Sequence, residues 1–465
     1  MADMEQYDVV VIGTGPAGEG AAMMLAKNHR KVAVVERYTE VGGGCTHWGT
    51  IPSKALRHAV KTWSDLRSNP MLGKFTASVN VTLPQLLSTA AGVIDAQVQL
   101  RRSFYERNRV PVLEGSAKFL GGDVLEISPR QDPPYTVRAE RFVIATGSRP
   151  YHPPGLDFSH PRVCDSDSIL RYTQSPFSVT IYGAGVIGCE YASIFLNMGT
   201  KVTLVDTQDR LLSFMDEEIA EALSYHLRDQ GCIIRHNEQF DFLEARAEDV
   251  LLNLKSGRKI KSDLLLWANG RTGNTDGLNL EAIGLTANQR GQIAVNENYQ
   301  TASPNVFAVG DVIGPPALAS AAYQQGGFVG QYIVDPATPP RRSDLIPSGI
   351  YTIPEISSVG KTEKQLQDAG IPYEIGHTQF KSLARAQMTN QRAGILKILF
   401  HSGTLEILGV HCFGDNASEI VHIGQTVMAS RDINNLRYFI NTTFNYPTMA
   451  EAYRIAAYNG LNRLA

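Results

Sequence analysis

The sequence predicts an α/β protein: two doubly wound units with parallel sheets, followed by a smaller α+β segment. Three observations carry this. A strand–turn–helix–strand unit with a Gly-rich turn lies near the N-terminus. The same unit recurs 170 positions later, from Gly13 to Gly183. After about Asp335 the texture changes, and no Gly-rich loop of this kind follows.

The elements follow in order. The apolar run Tyr7–Ile12 reads as a buried strand, GTGPAG (Gly13–Gly18) as a tight turn, and the Ala/Met-rich run Glu19–Lys27 as a helix. Lys31–Glu36 is a second strand, ending on an acid. Arg141–Pro150 reads as a buried strand ending in a Gly turn. Val179–Tyr182, GAGVIG (Gly183–Gly188), a helix over Cys189–Met198 and the strand Lys201–Asp206 then repeat the first pattern, again ending on an acid. Asn305–Asp311 is a strand closing on Gly-Asp. Pro336–Ser343 has the prolines and charges of a linker. Beyond it, Leu396–Phe400 and Ile407–Cys412 read as strands, and Asn416–Ser430 and Thr448–Leu464 as helices.

Composition narrows the function. The chain has 465 residues, suggesting about three domains. With 43% hydrophobic and 19% charged residues it is an ordinary globular chain, not a disordered one. The net charge of −3 gives no electrostatic footprint for nucleic acid or an anionic membrane. No apolar run reaches the ~18 residues of a spanning helix, and Met1–Gln6 has no apolar targeting core, so a cytoplasmic protein is expected. Five scattered cysteines (45, 164, 189, 232 and 412) fit neither a disulfide scaffold nor a zinc site, and no metal is expected.

The two glycine turns carry chemistry. The first glycine of each (Gly13, Gly183) permits the tight turn, and the second (Gly15, Gly185) lets a pyrophosphate approach the backbone. The third (Gly18, Gly188) lets the helix pack closely while its N-terminus faces the anion. Pro16 and Ile187 sit within these loops. Glu36 and Asp206 each follow the first glycine by 23 positions, where a carboxylate accepts hydrogen bonds from a ribose diol. Strand, helix and acid accompany both copies, so two dinucleotides are expected, a flavin and a nicotinamide, since hydride transfer needs donor and acceptor.

Further motifs agree: GGGCTHWGTIPSK (Gly42–Lys54), ATG (Ala145–Gly147), GAGVIGCE (Gly183–Glu190), AVGD (Ala308–Asp311) and YTIPEISSVG (Tyr351–Gly360). On these motifs the chain resembles the flavoprotein family of pyridine nucleotide–disulfide oxidoreductases over essentially its full length. The resemblance implies two Rossmann-like domains, for FAD and NAD(P), and a C-terminal α+β dimerisation domain. Residues 1–150 and 274–345 would form the FAD-binding domain, 151–273 the NAD(P)-binding domain, and 346–465 the interface of a homodimer or higher homo-oligomer. It also implies one non-covalent FAD per subunit, with Gly44, Cys45, Thr50, Thr146, Gly147, Gly310 and Asp311 on its site and Gly270 among the cofactor-binding positions. Lys54 would stand beside the flavin, paired with Glu190, where a cation stabilises the negative charge that reduction brings.

Two departures redirect the chemistry. Disulfide reductases of this family carry a second cysteine five residues after the first; here Thr50 follows Cys45. A hydroxyl forms no disulfide, so a dithiol relay is excluded. The family's C-terminal His before Pro is replaced by Tyr446, and a phenol of reference pKa about 10 is a poor base near neutrality. What remains is FAD-dependent hydride exchange between NADPH and NAD+ in either direction, through flavin N5, with one nicotinamide site serving both in turn. Passage of electrons to a quinone, dye or oxygen is the alternative. A dihydrolipoyl-type reductase and a non-catalytic flavoprotein are disfavoured.

Several residues keep structural readings. Cys45 is a small buried side chain, and Thr50 fills the flavin-facing position or caps the helix that carries Lys54. His47 and Trp48 offer rings for stacking near the flavin, but solvated-loop or packing roles are favoured. Thr448–Glu451 has the T-x-x-E form of a capping box, and Tyr446-Pro447 is a candidate cis bond by family resemblance. Asp206 favours the NAD diol and repels the NADP 2′-phosphate, which Arg210, four residues on, is placed to offset.

Overall fold

The computed structural model describes residues 4–76, 79–339 and 345–464. Residues 1–3 of the N-terminal segment and 340–343 of the anticipated linker lie outside them.

Strand Glu5–Ile12, uniformly apolar from Val9 onward, is central to the first sheet. It pairs in parallel with Val32–Glu36 on one side and with Tyr135–Ile144 on the other. Val112–Glu114 extends one edge in parallel, and Val306–Ala308 joins the far side of Tyr135–Ile144. The first half of Tyr135–Ile144 carries an antiparallel meander, Ser116–Phe119 and Val124–Ser128. The second sheet repeats the parallel design: Ile233–Arg235, Lys201–Val205, Ser178–Tyr182, Leu264–Trp267 and Val163–Asp165, all parallel. An antiparallel meander of Phe240–Ala245, Val250–Leu254 and Lys259–Ser262 stands beside it. The second sheet's central strands Ser178–Tyr182 and Lys201–Val205 are apolar runs legible in the sequence, whereas the short strands Ile233–Arg235, Leu264–Trp267 and Val163–Asp165 are not among those expected. The third sheet is antiparallel, in the order Ser348–Ile350, Glu355–Gly360, Ile407–Gly414, Gly394–His401 and Tyr373–Gln379. Helices Ala417–Ala429 and Glu451–Asn462 bury one face against it.

Three local expectations change. The run Arg141–Pro150 is not one strand: it breaks after Ile144, and Ser148–Pro150 pairs antiparallel with Arg271–Gly273. Gly147, at φ +68°, takes the left-handed conformation that turns the chain between them. The last helix begins at Glu451 rather than Thr448, and the capping box is not made. Thr448 Oγ1 donates to Asn445 O at 2.7 Å, and Glu451 pairs with Arg454 at 2.9 Å. Thr50 does not cap its helix either; Gly49 occupies that position and Thr50 is the first helical residue of Thr50–Ser68. The Tyr446-Pro447 bond is cis.

Helix Thr50–Ser68 belongs to the first unit by sequence and to a shared core by packing. Leu56 and Val60, one turn apart on one face, are fully buried in a cluster with Ile181 and Ile194 of the second unit and Ile353 and Ile356 of the third. Truncating Leu56 to Ala would cost about 2–5 kcal/mol, so Lys54 stands one turn into a firmly held helix. No helix among the described residues is long and apolar enough to cross a membrane.

Candidate active site

A cavity of about 400 Å³ runs along the C-terminal ends of the first sheet, where doubly wound folds bind ligands. The Gly13–Ala17 loop, Glu36, Gly44, Cys45, Thr50, Thr146, Gly147, Gly310 and Asp311 line it, together with Ile187 from the second glycine loop.

The loop geometry follows from what a side chain would meet. A Cβ on Gly13 (φ +110°) would lie 2.5 Å from Ala145 O, and one on Gly18 would collide with Gly13 O. On Gly15 it would meet nothing within 4 Å, so that stretch of backbone is open to an incoming group. Gly183, Gly185 and Gly188 repeat the arrangement, with Ala268 O and Gly183 O as the obstructing atoms. At the end of the second strand Glu36 is buried and accepts from Thr14 N at 3.1 Å, and from the Thr14 hydroxyl. That hydroxyl in turn accepts from Gly42 N at 3.0 Å, tying the first loop to the Gly42–Gly44 run.

These residues fit FAD. The cavity joins an open phosphate-binding turn, a buried terminal carboxylate and Thr146 Oγ1, which is buried without a protein partner. Such an orphaned hydroxyl costs free energy unless a ligand or water satisfies it. At the other end Asp311 accepts from Ser148 Oγ at 2.9 Å, and Gly310 N donates to Gln325 Oε1 at 2.8 Å.

Lys54 and Glu190 come together across two units. Lys54 Nζ donates to Glu190 Oε2 at 2.7 Å; the Glu190 side chain is 6% exposed and that of Lys54 26%. The other carboxylate oxygen, Oε1, accepts from Tyr351 N at 2.8 Å, and Lys54 Nζ sits 5.1 Å from the Tyr351 ring centre. The ion pair is thereby held at both oxygens and covered by an aromatic face, to which a cation is attracted. Residue-by-residue reading gave Tyr351 no role. The available signal was its position in YTIPE, and its contribution runs through a backbone N–H that a sequence does not advertise.

Cys45, half-buried rather than buried as expected, lies near the Thr50 hydroxyl. Burial pushes its thiol up from the ordinary value, and Thr50 pulls the other way less strongly. The other four cysteines are buried elsewhere, and all five are free. Trp48 also lines the cavity, edge-on to Tyr38 at 4.9 Å, and His47 Nε2 bonds Val41 O at 2.8 Å. Tyr446 is 65% exposed.

In the second unit Asp206 is buried just past strand Lys201–Val205, accepting from Thr207 N at 2.8 Å. Burial raises its carboxyl above the ordinary range, against hydrogen bonds from backbone N–H groups of Thr207, Gln208 and Ala184 that lower it. Arg210 does not turn toward Asp206; it pairs with Glu217 at 3.3 Å. Gly183, Gly185, Gly188, Asp206, Arg210 and Gly270 do not line the main cavity, and neither do Lys54 and Glu190; Gly270 (φ +99°) accepts from Tyr151 N at the junction of the first two units.

Comparison with known proteins agrees with this architecture. The pyridine nucleotide-disulphide oxidoreductase pattern matches residues 7–326, and that family's dimerisation domain matches residues 346–457. The chain is 56% identical over 459 residues to a soluble pyridine nucleotide transhydrogenase of Erwinia tasmaniensis, covering 98% of each. It is 55% identical over the whole of both chains to one from Vibrio cholerae. Among solved structures it is similar to the HOCl-induced flavoprotein disulfide reductase RclA of Escherichia coli, as its Cu(II) complex, at TM-score 0.88 and 25% identity over 98% and 99% of the two chains. LpdA of Mycobacterium tuberculosis shares the fold, at TM-score 0.89 and 23% identity over 99% and 100% of the chains. The two glycine loops and these full-length matches show that the chain belongs to the pyridine nucleotide-disulphide oxidoreductase family.

Proposed function

We propose that this chain is an FAD-dependent transhydrogenase, exchanging a hydride between NADPH and NAD+ in either direction, as the name of its relatives also suggests. One observation carries the reading: beside the cavity Cys45 faces a hydroxyl at Thr50 rather than a thiol, and the other cysteines are buried elsewhere. A disulfide substrate has no dithiol partner here. Tyr446, in place of a histidine, supports the same conclusion, since a phenol is a poor base for managing thiol protons near pH 7.

Bound FAD supplies a two-electron carrier that takes a hydride from one nicotinamide and delivers it to another. The chain's residues do the holding and the electrostatics. The Gly13–Gly18 turn and the helix N-terminus behind it take the pyrophosphate, Glu36 accepts from the adenosine ribose, and Ser148 and Gln325 fix the Gly310–Asp311 turn. Lys54 presents a positive charge near the ring, and Glu190 keeps it aimed. Gly183–Gly188 and Asp206 receive NAD(H) and NADP(H) in turn, so the kinetics are ping-pong. We assign FAD binding to residues 1–150 and 274–345, nicotinamide binding to 151–273 and a homodimer interface to 346–465, in a cytoplasmic enzyme.

The test mixes NADPH with thio-NAD+ under nitrogen and follows reduction of the analogue. Sustained turnover with parallel double-reciprocal lines is expected. Absence of turnover beside rapid quinone or oxygen reduction would replace this reading with that of an NAD(P)H dehydrogenase.

A further inference from the structure

We infer that the segment Tyr351–Glu355 is a strap from the third unit that sets the geometry of the Lys54–Glu190 pair, with Tyr351 as the positioning residue in contact with it. The inference rests on the role proposed above for Lys54.

Lys54 and Glu190 sit on helices of different units, Thr50–Ser68 and Val186–Asn197, so local structure in neither fixes their separation. The strap touches both helices at the functional residue and again three residues on, the spacing that shares a helix face. On the first helix, Lys54 lies under the Tyr351 ring. Arg57 donates to Thr352 O from Nε (3.2 Å) and Nη2 (3.0 Å), and pairs with Glu355 at 3.1 Å. On the second, Glu190 accepts from Tyr351 N. Ser193 Oγ accepts from Ile353 N at 2.7 Å and donates to Ile353 O at 3.2 Å. Glu190, Ser193, Arg57, Thr352 and Glu355 are all buried.

The consequences are specific. A carboxylate bonded at both oxygens does not rotate, so Glu190 offers Oε2 to Lys54 in one orientation. The ring restricts where the ammonium goes and shields it from water on that side, which strengthens its field one helical turn from Thr50 in the cavity wall. Removing the ring frees Lys54 to swing toward solvent while leaving the strap's backbone hydrogen bond in place.

The midpoint potential of bound FAD in the holoenzyme reads this directly, by spectroelectrochemical titration of the parent, K54M, Y351L and the double variant. K54M is expected to lower the potential, because a cation favouring the reduced form is gone. Y351L should lower it by a smaller shift, Y351F should restore it, and the double variant should match K54M alone. An unshifted K54M overturns the role given to Lys54. A shifted K54M beside an unshifted Y351L, or a Y351L shift that persists in the K54M background, overturns the positioning role of Tyr351. Should Y351L not retain FAD, S193A carries the same test: it unties Ile353 and should lower the potential only when Lys54 is present.

Discussion

Replacing Lys397 with Met tests how the second and third units are held together. Lys397, on strand Gly394–His401, is fully buried, and its ammonium lies among three carboxylates. Asp216 Oδ1 is 2.8 Å away and Glu218 Oε2 3.0 Å, and Glu363 is in direct contact. Asp216 and Glu218 flank the start of helix Glu217–Asp229 in the second unit, whereas Glu363 belongs to the third. The three carboxylates offer oxygens within 4.8 Å of one another, a spacing that would suit a metal ion, but the Lys397 ammonium already supplies the cation. Burial works against that charge; the hydrogen bonds Lys397 donates to Asp216 and Glu363 outweigh it and raise Lys397 above its ordinary value. Glu218 is held down at about 2, by His377 first and then Lys397, against burial.

Removing one partner of a buried ion pair costs about 3–5 kcal/mol. The side chains of Glu218 and Glu363 are 39% and 28% exposed and relax into water, so the low end, about 3 kcal/mol, applies. For a unit of ~150–250 residues this lowers the apparent Tm by about 6–12 °C. Differential scanning calorimetry of parent and K397M holoenzyme near pH 7 measures it. In the parent Glu218 is held down at about 2, so the stability its ion pairs contribute is present at neutral pH and is lost as pH falls from the ordinary carboxylate range toward that value. The gap between parent and K397M is therefore full at neutral pH and shrinks on acidification. Millimolar Ca2+ should also recover part of the loss, since hard oxygen ligands remain. A Tm loss under about 2 °C, or one that grows on acidification to pH 5, would refute the reasoning.

Three further predictions concern the site. Thr50→Cys should not create lipoamide reductase activity, because Tyr446 still offers no base; robust NADH-dependent lipoamide turnover would show the missing histidine to be dispensable. Asp206→Asn should raise the NADP(H)/NAD(H) ratio of kcat/KM by about tenfold, or ~1.4 kcal/mol, by removing a buried carboxylate that repels the 2′-phosphate; an unchanged ratio removes Asp206 from the discrimination. Gly188→Ala should abolish NADPH-driven turnover while FAD stays bound, since its Cβ would collide with Gly183 O. Parent-like binding of NADPH in that variant, by fluorescence quenching, would contradict the packing role given to the third glycine.

The parts of the site legible in the sequence are those made by consecutive residues. A pyrophosphate turn is built from neighbours, and its glycines are dictated by contacts that recur at fixed spacing, Gly18 on Gly13 and Gly188 on Gly183. The terminal acids Glu36 and Asp206 are legible for the same reason, and the missing thiol at Thr50 is a plain fact of composition. Resemblance added the pairing of Lys54 with Glu190, residues 136 positions apart.

Local chemistry misled where several local solutions compete. Thr448–Glu451 has the form of a capping box, yet Thr448 bonds Asn445 and Glu451 bonds Arg454. An isolated motif states which bonds are available, not which partner arrives first.

The sequence by itself determined the two nucleotide folds, the carboxylates that end them and the loss of dithiol chemistry, because each depends on residues a few positions apart. Only the tertiary structure decided that Tyr351 holds Glu190 from more than 150 positions away, and that Lys397 serves as the cation inside a cluster of acids. It alone decided that helix Thr50–Ser68 is packed by all three units. These are long-range contacts between faces of different units. Their partners are chosen by burial and geometry when the units dock, and no periodicity in the chain encodes that choice.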